Sequence, residues 1–317
     1  MSDGRRFRTA GVTALAPAIW GSTYLVTTEW LPPDRPLLAT TVRALPGGLI
    51  LLALTCLLPT GAWWWRSLVL GTLNIGAFNV LLFVAAYRLP GGIAAMIMAV
   101  QPMIVLILAA SLVGDRIRGT HIVACLLGAA GVPMLVYQGT VALNTVGVLA
   151  ALVAAACMAV GITLTKRWGR PDRVGLLPFT GWQLIAGGLV SLPFTLILEG
   201  LPATLTGSNL LGFGYLTSLG AVLSYALWFR GIERLPAPAV SFLALGSPIV
   251  ATLLGYLFLR QTLSIVQMVG TIAIIVAVLL AQRPPPRSWR RPADFPDSDN
   301  LTVSGPASPP TVSARRR

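Results

Sequence analysis

The chain has 317 residues, of which 55% are hydrophobic and only 10% are charged, and its mean hydropathy is +0.78. Soluble domains carry about a quarter charged residues, so this composition excludes an ordinary soluble globule and predicts a protein solvated by lipid. The net charge of +13 does not indicate a nucleic-acid partner, because the basic residues stand in short gaps between apolar runs rather than on one soluble surface.

Ten apolar runs follow one another, each long enough to cross about 30 Å of hydrocarbon as a helix. They cover residues 10–30, 37–58, 67–87, 91–113, 119–138, 144–165, 176–198, 208–229, 237–259 and 263–281. The first run is too long for the core of a cleavable signal peptide, so we expect it to be a first membrane span. The sequence therefore predicts an all-α membrane protein with ten transmembrane helices.

Lysine and arginine are divided unevenly between the two sides of these runs. Nineteen of the 23 fall in the termini and in one set of alternate gaps, while the other set holds only Arg35, Arg88 and Arg260. The remaining one, Arg43, lies within the second run. Because an excess of Lys and Arg marks cytoplasmic loops, we predict a multi-pass protein of the inner or plasma membrane with both termini cytoplasmic.

The apolar pattern stops at Gln282, and a stretch rich in Pro, Ser and Arg continues to Arg317. It contains too few apolar residues to form a core, so we predict a disordered cytoplasmic tail over residues 283–317. Two interpretations of the tail stay open: a segment that only contributes to topology, and one whose arginines contact anionic headgroups.

Short motifs recur in the same order in the two halves of the chain. Arg88-Leu89-Pro90 recurs as Arg234-Leu235-Pro236 and Pro102 as Pro248, both 146 residues later, and Gly47-Gly48-Leu49 recurs as Gly187-Gly188-Leu189, 140 residues later. We infer two related five-helix repeats, residues 1–138 and 139–282. Because five is odd, the two copies insert in opposite orientations. Inverted repeats of this kind are typical of secondary transporters, in which substrate binds near the bilayer midplane.

A set of short motifs carries a resemblance to a known family. They are Trp20-Gly21-Ser22-Thr23-Tyr24, Arg43, Leu89-Pro90-Gly91-Gly92, Gln101-Pro102, Gly114-Asp115, Arg234-Leu235-Pro236-Ala237 and Ser247-Pro248. Over residues 10–282 this pattern resembles the EamA family of the drug/metabolite transporter superfamily. The resemblance implies a ten-helix inverted-repeat fold, cytoplasmic termini, and export or exchange of amino acids and other small metabolites. Such proteins commonly have Gly-Glu after the fourth and ninth spans, whereas this chain has Gly114-Asp115 and Arg260-Gln261.

Polar and aromatic residues within the runs are the candidates for substrate contact, because a polar group facing lipid is costly. They are Trp20, Thr23, Tyr24, Arg43, Asn79, Gln101, Thr163, Tyr225 and Ser247, with Asn74 and Gln183 in a wider set. The alternative for each is a hydrogen bond that only joins helices. For Arg43, the alternatives are a partner for an anionic substrate group and a side chain that extends outward to the membrane surface.

Pro102 and Pro248 are predicted to interrupt the fourth and ninth helices near the bilayer centre, since each removes a backbone donor. A packing kink without functional consequence is the other interpretation. Glu29, at the outer end of the first run, is the candidate for proton coupling, with a simple position among headgroups as the alternative. Three scattered cysteines and one histidine predict no metal site, and we expect no cofactor.

Taken together, the sequence favours a secondary transporter whose partners are the lipid bilayer, a small-molecule substrate and a coupling ion such as the proton. There is no Gly-rich phosphate-binding loop and no soluble domain, so direct use of ATP is not expected. An intramembrane enzyme would need paired acids or Ser/His groups at membrane depth, which the runs lack. A structural or sensory membrane protein is the remaining alternative. The substrate, the direction of transport and the oligomeric state stay open.

Overall fold

The computed structural model describes residues 3–33, 35–86, 88, 97–98, 100–115, 117–136, 144–258 and 264–283. All regular secondary structure in these ranges is helical, which confirms the predicted all-α class. The predicted tail lies outside the described residues except for Arg283, as do parts of the fourth and ninth predicted runs.

Within the described ranges the chain forms thirteen α-helical segments. They are α1 Asp3–Trp30, α2 Pro36–Thr55, α3 Trp63–Gly71, α4 Ala77–Ala86, α5 Gln101–Leu112, α6 Gly119–Val136, α7 Thr145–Trp168, α8 Leu176–Phe194, α9 Gly207–Thr217, α10 Ser224–Arg234, α11 Ala237–Leu243, α12 Gly246–Phe258 and α13 Ile265–Ala281. Short π-helical segments join α3 to α4 (Thr72–Gly76), extend α8 (Thr195–Glu199) and join α9 to α10 (Ser218–Leu223).

Six helical stretches of the described residues are long and apolar enough to cross a membrane. They are Pro36–Thr55, Trp63–Leu82, Thr145–Trp168, Leu176–Glu199, Gly207–Arg234 and Ala237–Phe258. Large aliphatic side chains lie on the outside, with Ile197 and Ile265 each 80% exposed, whereas Trp228, Tyr225 and Phe229 are fully buried. An apolar exterior of this extent indicates a surface in contact with lipid.

Two pairs of helices pack side by side, and we refer to them as the flanking pairs. One pair is α2 with α8, and the other is α6 with α13. Both rely on glycine: a Cβ at Gly48 would lie 2.7 Å from the Ile185 backbone nitrogen, and one at Gly131 would lie 2.9 Å from the Gly270 carbonyl oxygen. Small residues let membrane helices approach closely and gain van der Waals contact.

The remaining helices form two bundles, each made of three helical stretches. In the first bundle, α7 packs against α4 and α5, and α4 is continuous with α3 through the π-helical segment. In the second bundle, α1 packs against α10 and α12, which follow α9 and α11 in the chain. The two bundles meet where α5 packs against α11. These bundles and flanking pairs are the frame in which the candidate site lies.

Glu199 joins the flanking pair α2 and α8 at one end. Its two carboxylate oxygens accept hydrogen bonds from the backbone N–H groups of Leu37 and Leu38, each at 2.7 Å. These are among the first N–H groups of α2, which have no partner within the helix. Arg35 donates to the backbone carbonyl oxygens of Glu199 and Gly200, also at 2.7 Å. A carboxylate at a helix N-terminus is favoured by the helix dipole.

We expect Glu199→Gln to destabilise the folded protein by about 1–2 kcal/mol, because the amide carries no charge and offers one acceptor oxygen where two donors need partners. Thermal unfolding of the detergent-purified protein measures the effect. Glu29→Gln is the matched control, since Glu29 is exposed and its change should leave the unfolding temperature unaltered. Equal unfolding temperatures for the two variants would contradict the assigned cap.

Candidate functional site

The π-helical segment Ser218–Leu223 presents a backbone carbonyl to three side chains. The Gly220 oxygen accepts from the Trp20 indole N–H at 3.2 Å, from the Arg43 Nε–H at 3.0 Å and from the Ser224 hydroxyl. Trp20 also donates to the Ser224 oxygen at 2.8 Å. A π-helical turn displaces the regular i to i+4 pattern and is found frequently at functional sites. Residues from α1, α2 and α10 therefore converge on one point of the connection between α9 and α10.

Aromatic rings form a wall beside this point. The Trp20 ring lies 5.2 Å from Tyr225 and 5.1 Å from Trp228 between centroids, in tilted geometry. The Arg43 guanidinium lies 5.7 Å from the centre of the Tyr225 ring, within the range of a cation–π contact. We refer to Trp20, Arg43, Gly220, Ser224 and Tyr225 as the Arg43 cluster. It combines a cation, hydrogen-bonding groups and flat apolar surface.

A second polar cluster occupies the equivalent place in the other half of the molecule. Asn74, in the π-helical segment Thr72–Gly76, donates to the Gln183 side-chain oxygen and to Thr165 Oγ1, both at 3.1 Å. Gly220 follows Asn74 by 146 residues and Gln183 follows Arg43 by 140, the two offsets of the sequence repeat. We refer to Asn74, Thr165 and Gln183 as the Asn74 cluster.

The two clusters differ in their access to the surroundings. Asn74 and Gln183 are completely buried and Thr165 is 2% exposed, and a Cβ at Gly161 would collide with the Asn74 side chain. In the Arg43 cluster, Ser224 and Tyr225 are also buried, but Trp20 and Arg43 are only half-buried. A side chain can meet a solute only where space adjoins it. The Arg43 cluster is therefore the candidate site, and the Asn74 cluster is a packed contact between helices.

Three of the predicted candidates, Trp20, Arg43 and Tyr225, are brought together in this cluster. Thr23 is half-buried beside it and donates to the Trp20 carbonyl oxygen at 2.6 Å. Thr163 and Asn79 are buried and donate to backbone carbonyls of their own helices, at Ala159 and Ile75 respectively. The Tyr24 side chain lies outside the described residues. Polar identity alone therefore does not separate residues that face the site from those that bond within their helix.

Pro102 and Pro248, the two prolines predicted to interrupt helices, both lie at helix starts. Pro102 is the second residue of α5, where its missing N–H costs nothing. Pro248 is in the first turn of α12, after the interruption at residues 244–245 that separates α12 from α11. Gln101 is 5% exposed, and among the described residues its amide nitrogen finds no hydrogen-bond partner. The Ser247 carbonyl packs against α1, since a Cβ at Gly21 would lie 2.6 Å from that oxygen.

Sequence reasoning missed Gly220, Ser224 and Trp228. Residues of these types are common in membrane helices, and their roles follow from the π-helical segment, which shifts the helix face by about one residue. The sequence carried no direct signal for these segments; only the structure shows that Ser218 follows Thr72 by 146 residues, the offset already seen between Arg88 and Arg234. Glu29 is exposed in the last turn of α1, apart from the cluster.

Comparison with known proteins gives the family. The profile of the EamA-like transporter family matches the chain twice, over residues 9–137 and 145–282. The chain belongs to this family. Protein PecM of Dickeya dadantii is 47% identical over 267 residues, which cover 84% of this chain and 90% of PecM. YedA, an uncharacterized inner membrane transporter of Escherichia coli K12, is 31% identical over 268 residues, covering 83% of this chain and 86% of YedA.

A solved crystal structure gives the same fold, with a TM-score of 0.74 at 21% sequence identity, over 86% of this chain and 98% of that one. Family membership and the apolar helices together identify a multi-pass membrane transporter, which confirms the predicted family and the general class of function. The matched family and YedA are transporters by name.

Proposed function

We propose that this protein is a secondary transporter that exports or exchanges small metabolites, such as amino acids, by alternating access between two inverted five-helix repeats. The repeats are residues 1–138 and 139–282, giving ten spans with both termini in the cytoplasm. The double match of the family profile, with one match in each proposed repeat, supports this division.

The observation that carries the proposal is that each helix of one bundle has its repeat counterpart in the other bundle. If each helix is matched to its counterpart one repeat later, α1 corresponds to α7, α3–α4 to α9–α10, and α5 to α11–α12. The first bundle then maps onto the second, helix for helix, and each bundle borrows one span from the opposite repeat. Such an arrangement favours rocking of two similar bodies against each other.

The flanking pairs fit the same scheme. The helix α2 pairs with its own counterpart α8, and α6 pairs with its counterpart α13. A helix that packs against its own counterpart lies beside the pseudo-twofold axis relating the repeats, which passes between the two helices. Contacts near such an axis change least when the two bundles exchange conformations. We therefore assign the flanking pairs to a scaffold and the bundles to the moving parts.

The substrate site of this proposal is the Arg43 cluster. Its cation suits an anionic group, and the half-buried Trp20 ring suits a flat or apolar part of the same molecule. An amino acid or related carboxylate meets both requirements. An ion gradient or exchange of solutes supplies the energy. Proton coupling through Glu29 stays a prediction.

Transport into proteoliposomes tests the proposal. The purified protein is reconstituted, loaded with a panel of unlabelled amino acids and aromatic carboxylates, and assayed for counterflow of each labelled compound. We expect saturable uptake of at least one carboxylate. Absence of counterflow for every member, with protein of verified folding and insertion, would favour the non-transporting alternative and contradict the proposal.

Pro102→Ala and Pro248→Ala are expected to slow this uptake without lowering expression. Each proline fixes the start of a helix, so alanine allows the helix to continue across a break that we assign to the moving part of the bundle. Initial rates of counterflow measure the effect. Pro193→Ala, at an exposed proline within α8 of the scaffold, is the matched control. Full uptake in both bundle variants would remove the proposed role of the helix starts.

A further inference from the structure

A group of charged side chains lies at one end of the two bundles. Lys166, in the last turn of α7, donates to the Glu233 backbone oxygen near the end of α10 at 2.9 Å. The Glu233 carboxylate forms a salt bridge with Arg170, also at 2.9 Å. The Asp115 carboxylate, following α5, faces the backbone N–H of Ala237, the first residue of α11, which acts to lower the pKa of this carboxyl. We refer to Asp115, Lys166, Arg170 and Glu233 as the charged latch.

Every one of these contacts joins the first bundle to the second. In the first bundle, Asp115 follows α5, Lys166 lies in the last turn of α7, and Arg170 follows α7. In the second bundle, Glu233 lies at the end of α10 and Ala237 begins α11. By contrast, the Glu199 cap joins α2 to α8 within the scaffold. The latch therefore spans the boundary that would open if the bundles separated at this end.

Three members of the latch are partly shielded from water. Asp115, Lys166 and Glu233 are each only partly exposed, whereas Arg170 is exposed. Burial raises the pKa of the Asp115 carboxyl, while the positive charge of Lys166 opposes that rise. A charge removed from water is stabilised only by a close partner, and loss of that partner leaves it uncompensated. Removing one member therefore penalises the closed arrangement more than an exposed pair would.

The two acids of the latch have uncharged counterparts in the sequence. The residues 146 positions from Glu233 and Asp115 are Tyr87 and Gln261, which are uncharged at neutral pH, although other charged residues stand at that end. By the distribution of Lys and Arg, the latch end faces the cytoplasm. Acids that one end has and the counterpart positions lack make the two ends unequal, and this inequality biases the resting protein toward one conformation.

We infer that the charged latch is a cytoplasmic gate, which closes the inner end of the two bundles and must break during each transport cycle. This inference rests on the proposed alternating access. It places the Asp115 carboxylate beside the start of α11, at the boundary that the gate closes.

The first experiment measures access to the site rather than transport. Thr23→Cys, beside the Arg43 cluster, is introduced into protein whose Cys56, Cys125 and Cys157 are replaced by alanine. A membrane-impermeant maleimide is added to inside-out vesicles, and the labelling rate is measured. We expect the combined Lys166→Met and Glu233→Gln changes to raise the rate about tenfold, as breaking a coupling of ordinary size would. The matched control is Asp172→Asn, an exposed acid in the same loop as Arg170.

An unchanged labelling rate in the latch variant would overturn the gate, whether or not the protein transports. A raised labelling rate in a protein without any counterflow would uphold the gate and contradict the proposed function. Equal increases for the latch variant and Asp172→Asn would also overturn the assignment, because they would reflect loop charge rather than the latch.

A second experiment closes the latch covalently. Arg170→Cys and Glu233→Cys are introduced into the same cysteine-free background and joined with a short bifunctional thiosulfonate reagent, which a reductant removes. We expect counterflow to fall to the background rate after cross-linking and to recover on reduction. Arg170→Cys alone, treated in the same way, is the control. Unchanged counterflow in fully cross-linked protein would overturn the gate.

Discussion

Arg43→Gln is expected to abolish most transport of an anionic substrate while leaving the fold intact. The substitution places in α2 the residue that the second repeat has at the equivalent position, Gln183, so a side chain of this kind is already accommodated between these helices. A hydrogen bond to a charged group contributes about 1.5–3 kcal/mol, so the apparent affinity should fall about tenfold to a hundredfold. Concentration dependence of counterflow, with the carboxylate identified in the panel, measures it.

The controls for Arg43→Gln separate charge recognition from packing. A neutral amide or ester of the same compound should be transported equally by both proteins, since it makes no charge-assisted bond. Arg35→Gln removes the arginine that precedes α2, whose partners are the backbone oxygens of Glu199 and Gly200. This change should leave the affinity unaltered. Arg43→Lys should be intermediate, because it keeps the charge but loses the Nε–H that reaches Gly220. An unaltered affinity in Arg43→Gln would exclude Arg43 from the site.

Much of the fold was predictable from the sequence because lipid imposes a simple rule on helices: length and apolar content decide which segments cross. The repeat could be recognised because glycine and proline recur only where backbone geometry demands them. Gly48 and Gly188 recur because two backbones touch there, so their offset reports a real contact. A position that faces lipid does not require one particular residue type. The counterparts of Ile197 and Ile265 in the other repeat therefore do not help to recognise the duplication.

The candidate site was harder to predict than the fold. Composition selected Trp20, Arg43 and Tyr225 along with Asn79 and Thr163, although the last two bond to carbonyls of their own helices. Separating site residues from the others requires knowing how each helix is rotated about its own axis. The π-helical segment changes that rotation halfway along the helix. Gly220 is a site residue only through its carbonyl oxygen, which no side-chain pattern encodes. Glu199 caps a helix that lies 162 residues away in the sequence, so only the pairing of α2 with α8 gives it a role.

Gly48→Ala and Gly188→Ala are expected to give the largest loss of stability of any single methyl group added to the scaffold. A Cβ at Gly48 would lie 2.7 Å from the Ile185 backbone nitrogen, and a Cβ at Gly188 would lie 2.7 Å from that of Leu45. Ile185 follows Leu45 by 140 residues, as Gly188 follows Gly48, so the two clashes are the same contact seen from either repeat. Backbone atoms cannot rotate away, and α2 must separate from α8.

We expect each substitution to lower the free energy of unfolding by about 3 kcal/mol, near the upper part of the range for overpacking a close contact. Gly214→Ala is the matched control, since Gly214 is an exposed helical glycine and a Cβ there would have no contacting atom within 4 Å. Alanine favours a helix over glycine by about 1 kcal/mol, so this control should be neutral or stabilising. Unfolding temperature and the monodisperse fraction in detergent measure all three.

Because the first methyl group already separates the helices, the double variant should lose less than the sum of the single losses. Additive losses would mean that the two glycines act at independent contacts rather than at one shared axis.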